Sequence, residues 1–114
     1  MVAIGEAYLG KVSFVDGFKP LYSRPYLVIE VLPSGVCILN VSSSKGKESK
    51  LLLATNYELK QYNPPFVKPS FVKLDSKKFI SFEELQTLKL LSNGKKLNSS
   101  DLNNILRKTK SFSF

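Results

Sequence analysis

The stretch Tyr22-Ser-Arg-Pro-Tyr-Leu-Val-Ile-Glu30 sets one of the chain's two arginines directly before a proline, at the mouth of an apolar run, whereas the other fifteen strong bases are lysines. A guanidinium differs from an ammonium in being planar, permanently charged and able to grip two phosphate oxygens at once. Beside a hydroxyl donor it could neutralise the charge that builds on a phosphorane when a ribose 2′-OH attacks, the kind of stabilisation that usually dominates such catalysis. The sequence offers hydroxyls: Ser42, Ser43 and Ser44 follow the run Val36-Cys-Ile-Leu-Asn-Val41, and Lys45, Lys47 and Lys50 come after them. If residues 26 to 32 and 36 to 41 form a two-strand hairpin, the residue before the first strand and the one after the second are neighbours. Arg24 then meets Ser42 at one end of the sheet. The plainer reading pairs Arg24 with a carboxylate, Glu6, Asp16 or Glu30, and leaves the serines as a loop.

The chain has no histidine and a single cysteine, Cys37. Ser-His and Cys-His nucleophile pairs and a His-pair ribonuclease mechanism are therefore excluded, as are an intrachain disulfide and a zinc site of the usual Cys/His kind. RNA supplies its own nucleophile, so the chemistry outlined for Arg24 needs no imidazole. Cys37, set in Val36-Cys-Ile-Leu, reads as a small apolar core residue. Gly-rich phosphate loops, HExxH and GxSxG patterns are absent, and nothing in the sequence asks for a metal or another cofactor.

The elements that must position Arg24 and the serines are short. Ala7-Tyr-Leu-Gly-Lys-Val-Ser-Phe14 alternates like a half-buried strand, and Val15 to Ser23 carries the residue types of a loop. Pro25 forbids a helix through Arg24, so Tyr26 to Leu32 reads as a central strand, with Pro33-Ser-Gly35 as the turn into strand 36 to 41. A polar, cationic loop spans 42 to 50. Leu51-Leu-Leu-Ala54 is expected to be a short apolar strand, and Ser70 to Asp75 and Lys78 to Ser81 two more, with prolines limiting 63 to 69 to extended or edge structure. Ser81-Phe-Glu-Glu84 has capping-box spacing and opens a helix whose face carries Phe82, Leu85 and Leu88, stopped by Gly94. A second helix starts near Ser99-Ser-Asp101, buries Leu102, Ile105 and Leu106, and ends in Arg107, Lys108 and Lys110, which suit its dipole. Strands followed by helices make the fold class mainly β with C-terminal helices (α+β), built as a small antiparallel barrel.

At 114 residues and 12.8 kDa the chain is read as one domain, residues 1–114, with one modest core. Its apolar runs are far shorter than the roughly 20 residues that span a bilayer. The first residues lack the basic segment and apolar stretch of a secretory signal, so a cytoplasmic location is expected. The formal net charge of +8 favours an anionic partner, nucleic acid, an acidic protein or an anionic membrane surface. Lysine is also an ordinary solubilising residue, and the charge alone does not choose.

At the residues singled out above, the sequence resembles the MazF/PemK family of toxin endoribonucleases. Gly5-Glu6 and the strand to Phe14 look like the family's opening Gly-Asp and first strand, and Arg24-Pro25-Tyr-Leu-Val-Ile29 like its Arg-Pro-aliphatic strand. Asn40-Val-Ser-Ser43 stands in the place of its aliphatic-Thr-Ser segment, Lys68-Pro-Ser-Phe-Val-Lys-Leu-Asp75 is similar to its late Ser-Tyr-Val-x-Leu-Asp strand, and Leu97-Asn-Ser-Ser-Asp-Leu102 resembles the Leu-Ser-x-x-Asp-Leu start of its last helix. The resemblance implies an SH3-like barrel, usually a homodimer, in a type II toxin-antitoxin system. Such a protein cuts single-stranded RNA without metal, leaving a 2′,3′-cyclic phosphate and a 5′-OH, and a cognate antitoxin wraps the dimer and blocks the RNA site. Arg24 corresponds to the catalytic arginine, and Ser42, with Ser43 next, to the catalytic threonine or serine. The loop from Asp16 to Ser23 would cover the substrate, with Lys19 as a phosphate contact. Tyr22 fits a base-stacking platform, or the core or dimer face, which is the preferred place. Ser44, Lys45 and Lys47 would join in binding RNA. The chain departs from the family in having serine for the commoner threonine, which leaves the register among Ser42, Ser43 and Ser44 open, and in a longer connection, Phe82 to Lys96, before the last helix.

A reading from another class is a catalytically silent SH3-like basic barrel that binds nucleic acid or an acidic protein through its lysines. Lys45, Lys47 and Lys50 would then matter more than Arg24, and no cleavage would appear.

Overall fold

Pro25 holds Arg24 extended, and the β-branched and aromatic residues after it continue that geometry. In the computed structural model, which describes residues 1–13 and 18–112, seven strands form: β1 (Ala7–Gly10), β2 (Arg24–Leu32), β3 (Gly35–Ser43), β4 (Asn56–Glu58), β5 (Ser70–Lys73), β6 (Lys78–Ser81) and β7 (Lys89–Leu90). Two α-helices accompany them, the single turn α1 (Phe82–Leu85) and α2 (Ser99–Thr109).

The pairing is antiparallel throughout and runs β4-β5-β3-β2-β1-β7, with β6 also on β3. β3 organises it. One edge of β3 pairs with β2 in the register Tyr26↔Asn40, Leu27↔Leu39, Val28↔Ile38, broken by a bulge at Ile29. Its other edge changes partner along its length, taking β6 from Gly35 to Ile38 and β5 from Val41 to Ser43. The path ends in the three-residue β4 and the two-residue β7, which do not pair with each other, so the sheet stays open and the closed barrel expected from the sequence does not form.

Both faces of the sheet are buried, which is why β2 and β3 read as nearly continuous apolar runs. One face packs Leu27, Leu39, Val41, Tyr57 and Val72 with Ile105 of α2. The other packs Tyr26, Val28, Val36, Ile38 and Ile80 with Leu85 of α1. Cys37 is buried in the first core, as its neighbours suggest.

Further expectations are corrected. Leu51 to Ala54 is not a strand: Glu48–Leu52 is a 3-10 helix, its amides bonding three residues back, with Leu52 and Leu53 exposed. The strand of that region is β4, which starts at Asn56. The helix at Ser81 has its expected cap, Ser81 Oγ accepting from the Glu84 N–H at 3.1 Å, and Leu85 and Leu88 are buried, but it lasts one turn. The chain then turns into β7, which pairs with β1, so Gly94 stops no helix and sits instead at φ +84° in a 3-10 turn. In α2, Ile105 is fully buried while Leu102 and Leu106 are only partly so, and its cap is Asn98. The first strand, expected to run to Phe14, ends at Gly10: Lys11 to Ser13 follow it without strand structure, and Phe14 to Gly17 lie outside the described residues.

Candidate active site

The register of the β2–β3 hairpin carries the site. The last β2–β3 pair is Tyr26↔Asn40, and Arg24 and Ser42 lie two residues beyond it, each on the face of its own strand that Tyr26 and Asn40 occupy. Residues directly opposed in an antiparallel pair project to the same face. Beyond Tyr26 and Asn40 the two strands take different partners, with Arg24 opposite Gly10 of β1 and Ser42 opposite Phe71 of β5, and the hairpin opens into a rim. Arg24 lines a cleft of about 540 Å³ there with Val12, Ser13, Tyr26 and Asn40. Ser42 lines an adjoining cleft of about 310 Å³ with Lys47, Lys50, Asn56 and Phe71. Lys73 and Asp75 line both. The turn that carries them is tied to β3 by Ser76, whose Oγ accepts the Asn40 N–H at 2.8 Å and donates to the Lys73 carbonyl at 2.6 Å.

The rim is strongly cationic. Lys47 Nζ donates to Ser42 Oγ at 3.1 Å, while the Ser42 hydroxyl makes only a long 3.4 Å contact to the Ser43 carbonyl, so it can turn toward an incoming acceptor. Burial holds the Lys73 ammonium below the usual lysine range, and Arg24, Lys47 and Lys50 lower it further against the opposing charge of Asp75. Arg24 is exposed, and among the described residues no carboxylate forms an ion pair with it. Two of the three acids that could have claimed it are engaged elsewhere: Glu6 accepts the Ala3 N–H at 2.8 Å and Glu30 pairs with Lys77 at 3.4 Å. The third, Asp16, lies outside the described residues.

Other expected site residues line neither of these two clefts. Ser43, Ser44 and Lys45 line a third cleft of about 570 Å³ with Glu48, Glu58 and Lys68. Ser43 Oγ accepts the Lys45 N–H at 3.4 Å. Ser44 is buried, its N–H donating to the Pro69 carbonyl at 3.0 Å and its own carbonyl accepting from the Lys47 N–H at 2.9 Å. Lys19 is exposed, and Tyr22, at 75% exposure, is not part of the monomer's core. Lys73, Asn40 and Asn56 were not foreseen as site residues. The alternation of buried Val72 and Leu74 with Lys73 and Asp75 marks Lys73 as a non-core position, but only the pairing of β5 with β3 turns it toward Arg24.

Among the described residues no three histidine, cysteine or carboxylate side chains group as a metal site would need, and no helix is long and apolar enough to cross a membrane. No protein-family model matches the chain, and no curated protein matches it.

Proposed function

We propose that this chain is an endoribonuclease of the MazF/PemK kind, the toxin of a type II toxin-antitoxin pair, which cleaves single-stranded RNA in the cytoplasm without a metal. The observation that best supports the reading is that Arg24 and Ser42 line two adjoining clefts of one cationic rim, Lys73 and Asp75 forming part of the wall of each. In the reaction the 2′-oxygen bonds to the adjacent phosphorus, the bond from phosphorus to the 5′-oxygen breaks, and the proton lost by the 2′-OH is matched by the one the 5′-oxygen gains. The products are a 2′,3′-cyclic phosphate and a 5′-OH. Arg24 donates its fork of N–H groups to the phosphorane oxygens, where charge is greatest, and assists proton transfer to the leaving oxygen. Ser42 Oγ holds a non-bridging oxygen and fixes the phosphate against the fork. As in the family resembled, the working form is a homodimer, and its regulator is an antitoxin protein that covers the same rim.

The test is an assay on a long unstructured RNA with EDTA present. Discrete cuts ending in cyclic phosphate are expected, and Arg24→Ala should lower the rate by about 10²–10³-fold. An Arg24→Ala protein that cuts as fast as the parent would remove Arg24 from its role. The lysines of the rim also fit a silent binding module for nucleic acid or an acidic protein; binding without any cleavage in the same assay would favour that reading.

A further inference from the structure

The clefts of Arg24 and Ser42 are joined, because Lys73 and Asp75 form part of the wall of each. On β5, Lys73 opposes Asn56 of β4, lies one residue beyond the β3 pair Val41↔Val72, and shares the Arg24 cleft with Asn40. Four charges act on its ammonium: Arg24 from β2, Lys47 and Lys50 from the segment after β3, and the Asp75 carboxylate from the turn after β5. Lys77 and Lys78 line the Arg24 cleft as well, Lys77 being paired with Glu30. One carboxylate thus faces a guanidinium and several ammonium groups, and like charges crowded in this way are relieved by an incoming anion.

We infer that the joined clefts hold two consecutive phosphates of one RNA strand, the scissile one between Arg24 and Ser42 and its neighbour against Lys73, Lys47 and Lys50, with Lys73 a phosphate-binding residue. The inference rests on the RNA-cleaving reading and adds a minimum substrate to it: a dinucleotide, with a single phosphate, fills one cleft only. Lys73 does not act as a base in this scheme, because a phosphate beside an ammonium favours its charged form. RNA binding therefore takes up a proton at alkaline pH, where Lys73 of the free protein begins to lose its own.

The test uses a short RNA spanning a mapped cut and its uncleavable 2′-O-methyl copy. Lys73→Met should weaken binding of the copy about tenfold and reduce the slope of log affinity against log salt by about 0.7 to 1, with kcat at saturating RNA changed by less than about threefold. Lys73→Arg should restore affinity and slope, which separates lost charge from a damaged fold. Lys95→Met, which removes an exposed charge outside both clefts, should leave them unchanged. A methylphosphonate at one phosphate flanking the cut should reproduce the loss in the parent and add little to Lys73→Met. Parent affinity and slope in Lys73→Met, with the parent still cutting, would overturn the two-phosphate site alone. A parent that neither binds nor cuts RNA would instead bring down the RNA-cleaving reading and this inference with it.

Discussion

Three successive serines offer three hydroxyls, and the pleat of β3 sorts them. Side chains along a strand alternate between faces, so Ser42 shares the face of Arg24 and Asn40, while Ser43 projects with Val41 to the other and lines a cleft with Glu48 and Lys68. Ser44 is held inward by its bond to Pro69. Ser42→Ala should therefore lower kcat by about 10²-fold, whereas Ser43→Ala should stay within about twofold of the parent. Single-turnover kinetics on a saturating RNA distinguishes the two, and a Ser43→Ala protein that is the more impaired would reverse the assignment. The sequence leaves three neighbouring hydroxyls open, and strand periodicity with the pair Tyr26↔Asn40 marks Ser42 as the one on the face of Arg24.

Elements hold this rim through two contacts far from it. Asp101, buried at the start of α2, accepts from Tyr57 Oη at 2.7 Å, from Asn98 Nδ2 at 2.9 Å and from the Lys60 and Gln61 N–H groups at 3.1 and 3.4 Å, which pins the helix to β4 and the segment after it. Burial pushes its carboxyl up, but these hydrogen bonds outweigh burial and bring it below the ordinary value. Because the folded value is the lower one, the stabilisation is complete above the unfolded value of about 3.9 and disappears as pH falls through the folded one. Asp101→Asn should cost about 2–3 kcal/mol at neutral pH, and urea unfolding at pH 3, 5 and 7 should show less acid sensitivity in the variant than in the parent. The second contact is at Gly35, where a Cβ would overlap the Ile80 carbonyl oxygen of β6. Gly35→Ala should destabilise by about 1–3 kcal/mol, measurable by thermal unfolding; an unchanged midpoint would mean that β6 can move aside. Neither contact is legible in the sequence: Asp101 reads as a first-turn acid and Gly35 as a turn glycine, because their partners are 41 and 45 positions or so distant along the chain.

At the scale of the whole molecule, the excess of +8 predicts attraction to polyanions without saying where. The fold concentrates Arg24, Lys47, Lys50 and Lys73 around joined clefts, while several other lysines point to open solvent. Binding of an uncleavable RNA should accordingly fall linearly in log salt, with a slope of about −0.7 for each phosphate neutralised. A DNA oligomer of the same sequence should bind with a similar slope and remain uncut, since it has no 2′-OH. Cleavage of that DNA would rule out attack by the ribose hydroxyl.

The sequence by itself determined what is local. Proline geometry and β-branched residues placed β2, the turn at Pro33-Ser-Gly35 folded it onto β3, and the Ser81 cap started α1, because each depends on neighbours within a few positions. The absence of histidine likewise bounded the chemistry before any fold was known. Tertiary structure alone decided that Leu51 to Leu53 would not join the sheet, that α1 would stop after one turn and yield to β7, and that the sheet would stay open. It also brought Lys73 to Arg24 and Ser42, since that meeting depends on β3 exchanging one partner strand for another, a choice made by packing two cores against opposite faces of one sheet.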